Sequence, residues 1–370
     1  MTLLVAAPTY LPSRRANTVQ VMKMTQALAQ QGYQPHLLVP RPPGTPTAEW
    51  HELAHHYGLQ QPFPIQWLPV HPRWRSYDYA LKALRTARQL GATQLYTRHP
   101  QIAAFSSFLG MPTLHEVHDL PKGIGSLWFR LFLAGKGARR LVVITRALRD
   151  DLAQRYPVPA PPFTRLAPDG VDLARYANLP APAQARAQLG LPPRFTAGYT
   201  GHLYAGRGTD LLLALAARLP QIHFLLVGGN PEDVQSLRQR AAPLNNVTLT
   251  GFIPNAELPR YQAACDCLLM PYSQKIAASS GGDIARYLSP MKLFEYLACG
   301  RVILSADLPV LREILHPQNA VLLPPDDVQA WQMALQNLIK DPKTELAQQA
   351  ARDAQNYTWH ARAAHIMAET

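Results

Sequence analysis

Thr2-Leu3-Leu4-Val5-Ala6-Ala7, then Ala16-Asn17-Thr18-Val19-Gln20-Val21-Met22-Lys23-Met24-Thr25-Gln26-Ala27-Leu28, then Gln34-Pro35-His36-Leu37-Leu38-Val39 decide the architecture. Residues 3–7 form a short apolar run of the kind a buried strand needs. A loop from Pro8 to Arg15 follows. Residues 16–31 place Val19, Met22, Ala27 and Leu28 at helical spacing, and Gly32 stops the helix. Residues 34–39 read as the next strand. Strand, helix and strand in that order imply parallel pairing through a right-handed crossover.

The alternation continues outward. Strands are expected at 65–68, 94–97, 113–116, 141–144 and 164–166, with helices at 77–90, 102–109 and 146–154. That completes one doubly wound sheet. Pro168-Asp169-Gly170-Val171-Asp172 is turn-rich, and Pro- and Ala-rich sequence follows to about Pro193. A second series has strands at 196–200, 222–227, 247–250, 267–270, 302–305 and 320–323. Its helices fall at 209–218, 256–264, 291–298 and 328–340, and the tail from about Thr344 is helical. The expectation is an α/β chain with a Rossmann-like domain at 1–175, a linker at 176–193 and a second Rossmann-like domain at 194–354. A further helix is expected at about 355–370. Two such sheets facing a central cleft would bind ligand at the carboxyl ends of their strands.

Composition bounds the rest. At 370 residues the chain exceeds what one core usually organises, and 47% apolar residues is an ordinary globular share. No apolar run approaches the roughly 18 residues of a membrane span. The opening residues 1–7 lack a basic start and read as a strand rather than a signal peptide. Cys265, Cys267 and Cys299 are sparse and odd in number, which points to a reduced, cytoplasmic protein and supplies no paired zinc motif. The net charge of +12 favours anionic partners, and alone it does not choose among phosphorylated ligands, lipid and nucleic acid.

Three stretches carry chemistry. Ser289-Pro290-Met291-Lys292-Leu293-Phe294-Glu295-Tyr296-Leu297-Ala298-Cys299-Gly300 reads as a helix with Ser289 as N-cap, Pro290 at its first position and Gly300 as its stop. Its start offers N–H groups and a positive dipole end to an anion, with Lys292 alongside, and a pyrophosphate is the natural guest. Glu295 sits among apolar neighbours; it either meets ribose hydroxyls or is solvated or paired with a structural arginine. Gly201-His202-Leu203-Tyr204-Ala205-Gly206-Arg207-Gly208 follows a strand and precedes a helix. Its glycines let backbone approach a ligand, and His202 and Arg207 are placed to reach phosphate oxygens; an ordinary surface loop is the alternative. His115-Glu116-Val117-His118-Asp119 ends a first-domain strand, where His118 would contact sugar or acceptor and His115 would pack.

Weaker signals surround these. Ser13-Arg14-Arg15-Ala16-Asn17-Thr18 opens the first helix without the glycine pattern of a nicotinamide site, and its arginines would meet an anionic acceptor or merely sit on the surface. Gly228-Gly229 either lets a ligand approach or makes a turn, and Phe252 and Ile253 either hold a base or serve the core. Residues 126–133, apolar and aromatic with Lys136, Arg139 and Arg140 behind, fit a peripheral contact with anionic membrane or a buried helix.

Together these stretches resemble the GT4-like retaining glycosyltransferases of GT-B fold, in the branch that builds bacterial exopolysaccharides and surface glycans. The resemblance rests on residues 15–24 and 115–118, on Pro168-Asp169-Gly170-Val171-Asp172, on Gly201-His202 through Arg207-Gly208, on Gly251-Phe252-Ile253-Pro254 and on Lys292-Leu293-Phe294-Glu295-Tyr296. It implies transfer of a hexose-type sugar from a UDP- or GDP-linked donor to a glycan, lipid-linked or small-molecule acceptor. It implies catalytic roles for His118, Arg207 and Glu295. Donor binding would involve Gly201, His202, Arg207, Gly228, Phe252, Ile253, Ser289, Met291, Lys292, Leu293 and Glu295, and the acceptor side Arg15, Asn17 and His118. No cofactor or metal is implied, nucleic acid is not an expected partner, and the location would be cytoplasmic or peripheral at the inner membrane face. Two departures stand out: His202 replaces a common Arg, and Tyr287 stands where the first Glu of the Glu-x7-Glu pattern belongs, with Asp283 a substitute from a nearby loop. A non-catalytic binder of anionic lipid or another anionic partner, and a sugar-nucleotide epimerase, are the competing readings.

Overall fold

A computed structural model describes residues 2–71, 73–277 and 283–368, together with the backbone but not the side chain of Arg75. The chain divides into two compact units, residues 1–169 with 359–370, and residues 170–358.

The first unit runs β1 (Thr2–Ala6), α1 (Ala16–Gln30), β2 (Gln34–Arg41), α2 (Trp50–Tyr57), β3 (Ile65–Pro69), α3 (Arg75–Gln89), β4 (Gln94–Thr97), α4 (Pro100–Phe108), β5 (Thr113–Val117), α5 (Ile124–Ala134), β6 (Ala138–Val143), α6 (Arg146–Arg155) and β7 (Thr164–Leu166). Its seven strands are ordered β3-β2-β1-β4-β5-β6-β7 and pair in parallel. Every residue of β5 is buried, as a central parallel strand requires.

The second unit runs α7 (Pro182–Gln188), β8 (Thr196–Thr200), α8 (Thr209–Arg218), β9 (His223–Val227), α9 (Pro231–Ala241), β10 (Val247–Gly251), α10 (Leu258–Ala263), β11 (Cys267–Met270), α11 (Met291–Cys299), β12 (Val302–Ala306), β13 (Val321–Leu323), α12 (Val328–Lys340) and α13 (Thr344–Ala354). Its order is β10-β9-β8-β11-β12-β13, again parallel. The last helix, α14 (Trp359–Met367), packs on α1 within the first unit.

Both sheets reverse their direction of growth beside their first strand, between β1 and β4 and between β8 and β11. Such switch points open crevices at the carboxyl ends of the strands, where ligands bind in this architecture. The expected strands all form, within a few residues at their ends. The expected linker at 176–193 does not: α7 lies inside it, and Ala185 and Arg186 are buried against the second unit. Arg186 donates to the Ala264 carbonyl at 2.9 Å and to Asp266 at 2.8 Å, which ties the segment down. Residues 170–175 likewise fold with the second unit rather than the first.

Burial leaves a pH signature. Desolvation lowers His99, His115, His118, His202 and His223 to about 4. An unfolded histidine titrates near about 6.5, so between these values the unfolded chain holds more protons and stability falls as pH falls. Asp169, raised to about 7 by burial, acts in the opposite sense, and it is one group against five. The urea midpoint should therefore drop steadily from about pH 6.5 towards pH 4 with net proton uptake on unfolding. A midpoint flat across that window would contradict this burial.

Candidate active site

In the second unit the strand ends build a loop cluster around the switch point. Gly201 N–H donates to the Val227 carbonyl at 2.8 Å, and Gly228 N–H donates to the Gly251 carbonyl at 2.8 Å. These bonds lace the ends of β8, β9 and β10 together. Gly228, at φ 116°, must lack a side chain: a Cβ there would lie 2.3 Å from the Gly201 carbonyl oxygen. Its first duty is thus to the loop itself. Gly201, at φ 128°, leaves the room that the Lys292 ammonium takes, since a Cβ there would meet Nζ at 2.8 Å.

The cations gather on tyrosines. Lys292 Nζ stands 3.8 Å above the Tyr199 ring and 5.4 Å from that of Tyr272. Arg207 lies 5.4 Å from the same Tyr272 ring and 5.0 Å over Tyr204, while His202 stacks on Tyr204 at 5.0 Å. Lys292 Nζ, Arg207 Nε and His202 Nδ1 are sealed from solvent and have no hydrogen-bond partner among the described residues. Burial, with Arg207 nearby, holds Lys292 well below the usual lysine range, and Glu295 only partly opposes this. Burial first, then Arg207 and Lys292, keep His202 neutral. The pair of cations facing one place is therefore Arg207 and Lys292. Buried polar atoms left unpaired are costly, and their concentration at one spot marks where a ligand completes them.

Helix α11 adds a dipole. Its N-cap is Pro290, not Ser289, and no side chain caps it. Ser289 lies one residue outside because the preceding backbone is already extended. The helix start, with Met291 and Lys292 in its first turn and Leu293 buried, keeps its polar character for an anion. Glu295, one turn on, is 8% exposed. Its Oε2 accepts from Gln262 Nε2 at 3.2 Å and its Oε1 accepts a longer bond, 3.5 Å, from Asn255. Arg175 anchors Asn255 at 2.7 Å, and the Tyr176 hydroxyl donates to Gln262 at 2.9 Å. The carboxylate is thus oriented by amides and keeps acceptor capacity for hydroxyl groups.

Sequence reasoning missed Tyr199, Tyr272, Gln262, Asn255 and Arg175. Ile253 packs on the core, and half-buried Phe252 lies outside that cluster. Asp283 is exposed and spends Oδ1 on the amides of Ile276 and Ala285, so it serves its own loop. Tyr287 lies beneath Arg286 at 6.0 Å.

The first unit holds a second polar cluster. His115 is buried among Phe129 and Phe132, with Nδ1 3.1 Å from the Thr97 carbonyl, and is a packing residue. His118 keeps some exposure and places Nε2 2.5 Å from Glu116 Oε1. Arg15 is exposed at the start of α1, and Asn17 accepts from the Thr18 hydroxyl at 3.4 Å; neither touches His118 among the described contacts. Helix α5 is two-faced: Phe129 and Phe132 are buried, Ile124 and Leu127 exposed. Arg140 is a buried residue whose guanidinium bonds the Ile366 carbonyl, so it is not the surface cation expected behind this helix. No helix among the described residues is long and apolar enough to cross a membrane.

Each half of the chain matches a family description: residues 18–175 match "Glycosyltransferase Family 4" and residues 194–341 match "Glycosyl transferases group 1". The chain belongs to glycosyltransferase family 4. Among curated relatives of this GT4 chain, a D-inositol 3-phosphate glycosyltransferase of Kineococcus radiotolerans is 27% identical over 255 residues, 62% of this chain and 56% of the relative. A phosphatidyl-myo-inositol mannosyltransferase of Mycolicibacterium smegmatis is 27% identical over 242 residues, 61% of this chain and 56% of the relative. The matched stretch thus spans under two thirds of those relatives' length. Among solved structures, sucrose-phosphate synthase from Thermosynechococcus elongatus superposes with a TM-score of 0.74 at 20% identity, covering 98% of this chain and 96% of that one. Anabaena HepE in complex with UDP gives 0.73 at 20% identity, over 99% and 98%. The fold of this GT4 chain is GT-B.

A buried lysine held below its usual basicity, with no acceptor for its Nζ among the described residues, costs stability until a partner arrives. Lys292→Met should raise the melting temperature of the ligand-free protein, by on the order of 1 kcal/mol of stability, while weakening nucleoside diphosphate binding. A variant that melts lower and binds as well as the parent would contradict the assignment.

Proposed function

We propose that this GT4 chain is a retaining glycosyltransferase that moves a hexose-type sugar from a UDP- or GDP-linked donor. The observation that carries the reading is the convergence of Lys292 Nζ, which has no hydrogen-bond partner among the described residues, and Arg207, bonded to the Tyr204 and Tyr272 side chains but with Nε unpaired, beside the start of α11. A nucleotide-sugar diphosphate supplies the missing acceptors. Glu295, one turn along α11, is spaced to take the ribose hydroxyls. HepE, of the same fold, has been solved with UDP and with UDP-glucose, which supports a uridine donor here.

The chemistry follows from where charge develops. The bond between the anomeric carbon and the diphosphate oxygen breaks, and its electron pair goes to the diphosphate. Arg207, Lys292 and the α11 dipole stabilise that charge, in a setting that excludes water and so strengthens them. The acceptor oxygen bonds the anomeric carbon on the same face, and its proton passes to the departing phosphate oxygen. No enzymic nucleophile is needed, and the cations take the role that a metal plays in other transferases. Neutral His118 on the first unit accepts a hydrogen bond from a sugar or acceptor hydroxyl, and Arg15 and Asn17 belong to the acceptor side. The acceptor is a glycan, lipid-linked or small molecule of surface-glycan biosynthesis. The exposed Ile124 and Leu127 of α5 are compatible with a lipid-linked acceptor at the inner membrane face.

Thermal unfolding with UDP, GDP, ADP or CMP, with and without EDTA, tests the donor site. A ligand at a hundredfold excess over its dissociation constant adds about 2.7 kcal/mol of stability. The expected result is a shift with one diphosphate that survives EDTA and disappears in Glu295→Ala. No shift with any nucleotide, from folded protein, would favour a non-catalytic binder instead.

A further inference from the structure

The interior of the first unit contains an ion pair made by residues from distant parts of the chain. Glu116, on the central strand β5, is 1% exposed. Its Oε1 lies 2.7 Å from Gln20 Nε2 on α1, 2.5 Å from His118 Nε2 and 3.0 Å from Arg362 Nη2 on α14. Its Oε2 accepts the Tyr96 hydroxyl. Arg362 is itself clamped: Nε donates to the Pro168 carbonyl at 2.9 Å, Nη2 to the Ala167 carbonyl at 3.1 Å, and Nη1 lies 3.2 Å from Met24 Sδ. The guanidinium is therefore a fixed charge at a fixed place.

We infer that Arg362 is a positioning residue for His118: by keeping Glu116 ionised, it decides which imidazole nitrogen carries the proton. An ionised carboxylate only accepts, so the His118 Nε2 that contacts it must carry the hydrogen. A neutral ring then presents Nδ1 as an acceptor. Burial alone would push Glu116 up, and the Arg362 guanidinium, with His118, holds it down. Burial first, then Arg98, keeps His118 itself neutral against the pull of Glu116. The charged groups around this pair are Arg98 after β4, Glu116 on β5, Asp169 at the end of the first segment of the unit, and Arg362 on α14.

Removing the guanidinium inverts the polarity of the site. A buried carboxyl without its cation either takes a proton and becomes a donor to Nε2, or draws a proton onto the imidazole. In both cases Nδ1 gains a hydrogen and changes from acceptor to donor. A hydroxyl that donated to Nδ1 then meets another donor. The last helix would in this way control the hydrogen-bonding sense of His118 without touching any substrate.

Ring-nitrogen NMR of 15N-histidine-labelled full-length protein reads this directly. In the parent, His118 should show a hydrogen on Nε2 and a bare Nδ1 at neutral pH. In Arg362→Met the hydrogen should appear on Nδ1. Then kcat should fall about 10- to 100-fold, the size of a misoriented catalytic contact, with the donor KM within about twofold. Arg362→Lys, which keeps the charge, should restore the parent tautomer and most of kcat. A merely structural arginine would lower the melting temperature and leave the ring unchanged, and that result overturns the inference. Should Arg362→Met fail to fold, the parent spectrum still decides: a hydrogen on Nδ1 at neutral pH overturns it. The proposal rests on the sugar-transfer reading of His118, and the two fail separately. The spectra report positioning alone, and turnover by the parent protein reports the transfer.

Discussion

Two half-buried basic side chains, Arg207 and Lys292, face one phenol ring with Nε and Nζ sealed from solvent. Arg207 and Lys292 each lie 5.4 Å from the Tyr272 ring centroid, and neither Arg207 Nε nor Lys292 Nζ has a hydrogen-bond partner among the described residues. Like charges held together away from solvent repel, and ring faces recover only part of that cost. The second unit is arranged so that they stay there. Gly208, at φ 80°, lies so close to the Pro271 carbonyl that a Cβ would approach it to 1.9 Å, which fixes the Arg207 loop against the end of β11. Tyr296, from α11, accepts the Thr200 N–H at 2.8 Å and fixes the helix carrying Lys292 against the end of β8. Rigid elements thus hold Arg207 and Lys292 together, at the cost of the basicity of Lys292.

The two units handle buried charge in opposite ways. Glu116 in the first is surrounded by four donors, so the ionised form is satisfied without any ligand. In the second unit no carboxylate completes Lys292 Nζ or Arg207 Nε among the described residues. A satisfied network specifies geometry, whereas an unsatisfied one creates affinity. The Glu116–His118 pair is thus held in one geometry by its own network, whereas Arg207 Nε and Lys292 Nζ are left without acceptors among the described residues.

Much of this was legible in the sequence, for reasons that differ by residue. Buried parallel strands are short continuous apolar runs, and the flanking turn residues delimited all of them. Helix α7 was hidden because Pro182-Ala183-Gln184-Ala185-Arg186-Ala187-Gln188 has no large apolar stripe, although alanine favours helix and proline suits its first turn. Arg207, Lys292 and Glu295 were visible because each is a charged residue in a glycine-rich loop or an apolar helix. Tyr272 was not, since its role exists only where β11 lies beside β8. Arg362 carried no signal in the sequence; its partner Glu116 is far away along the chain, and spacing carries no sign of it. His202 was recognisable as a departure, but that it is neutral depends on burial beside two cations.

Lys292, held low in basicity by burial and by Arg207, is placed to gain a proton if a diphosphate binds beside it. Calorimetric titration of the full chain with UDP, and with GDP, at about pH 8.5 in buffers of different ionisation heat measures protons taken up on binding. At that pH the nucleotide is fully ionised, so uptake reports the protein. Proton uptake should accompany binding and should disappear in Lys292→Met together with most of the affinity. Binding of equal strength in parent and variant, with no proton uptake in either, would contradict this role of Lys292.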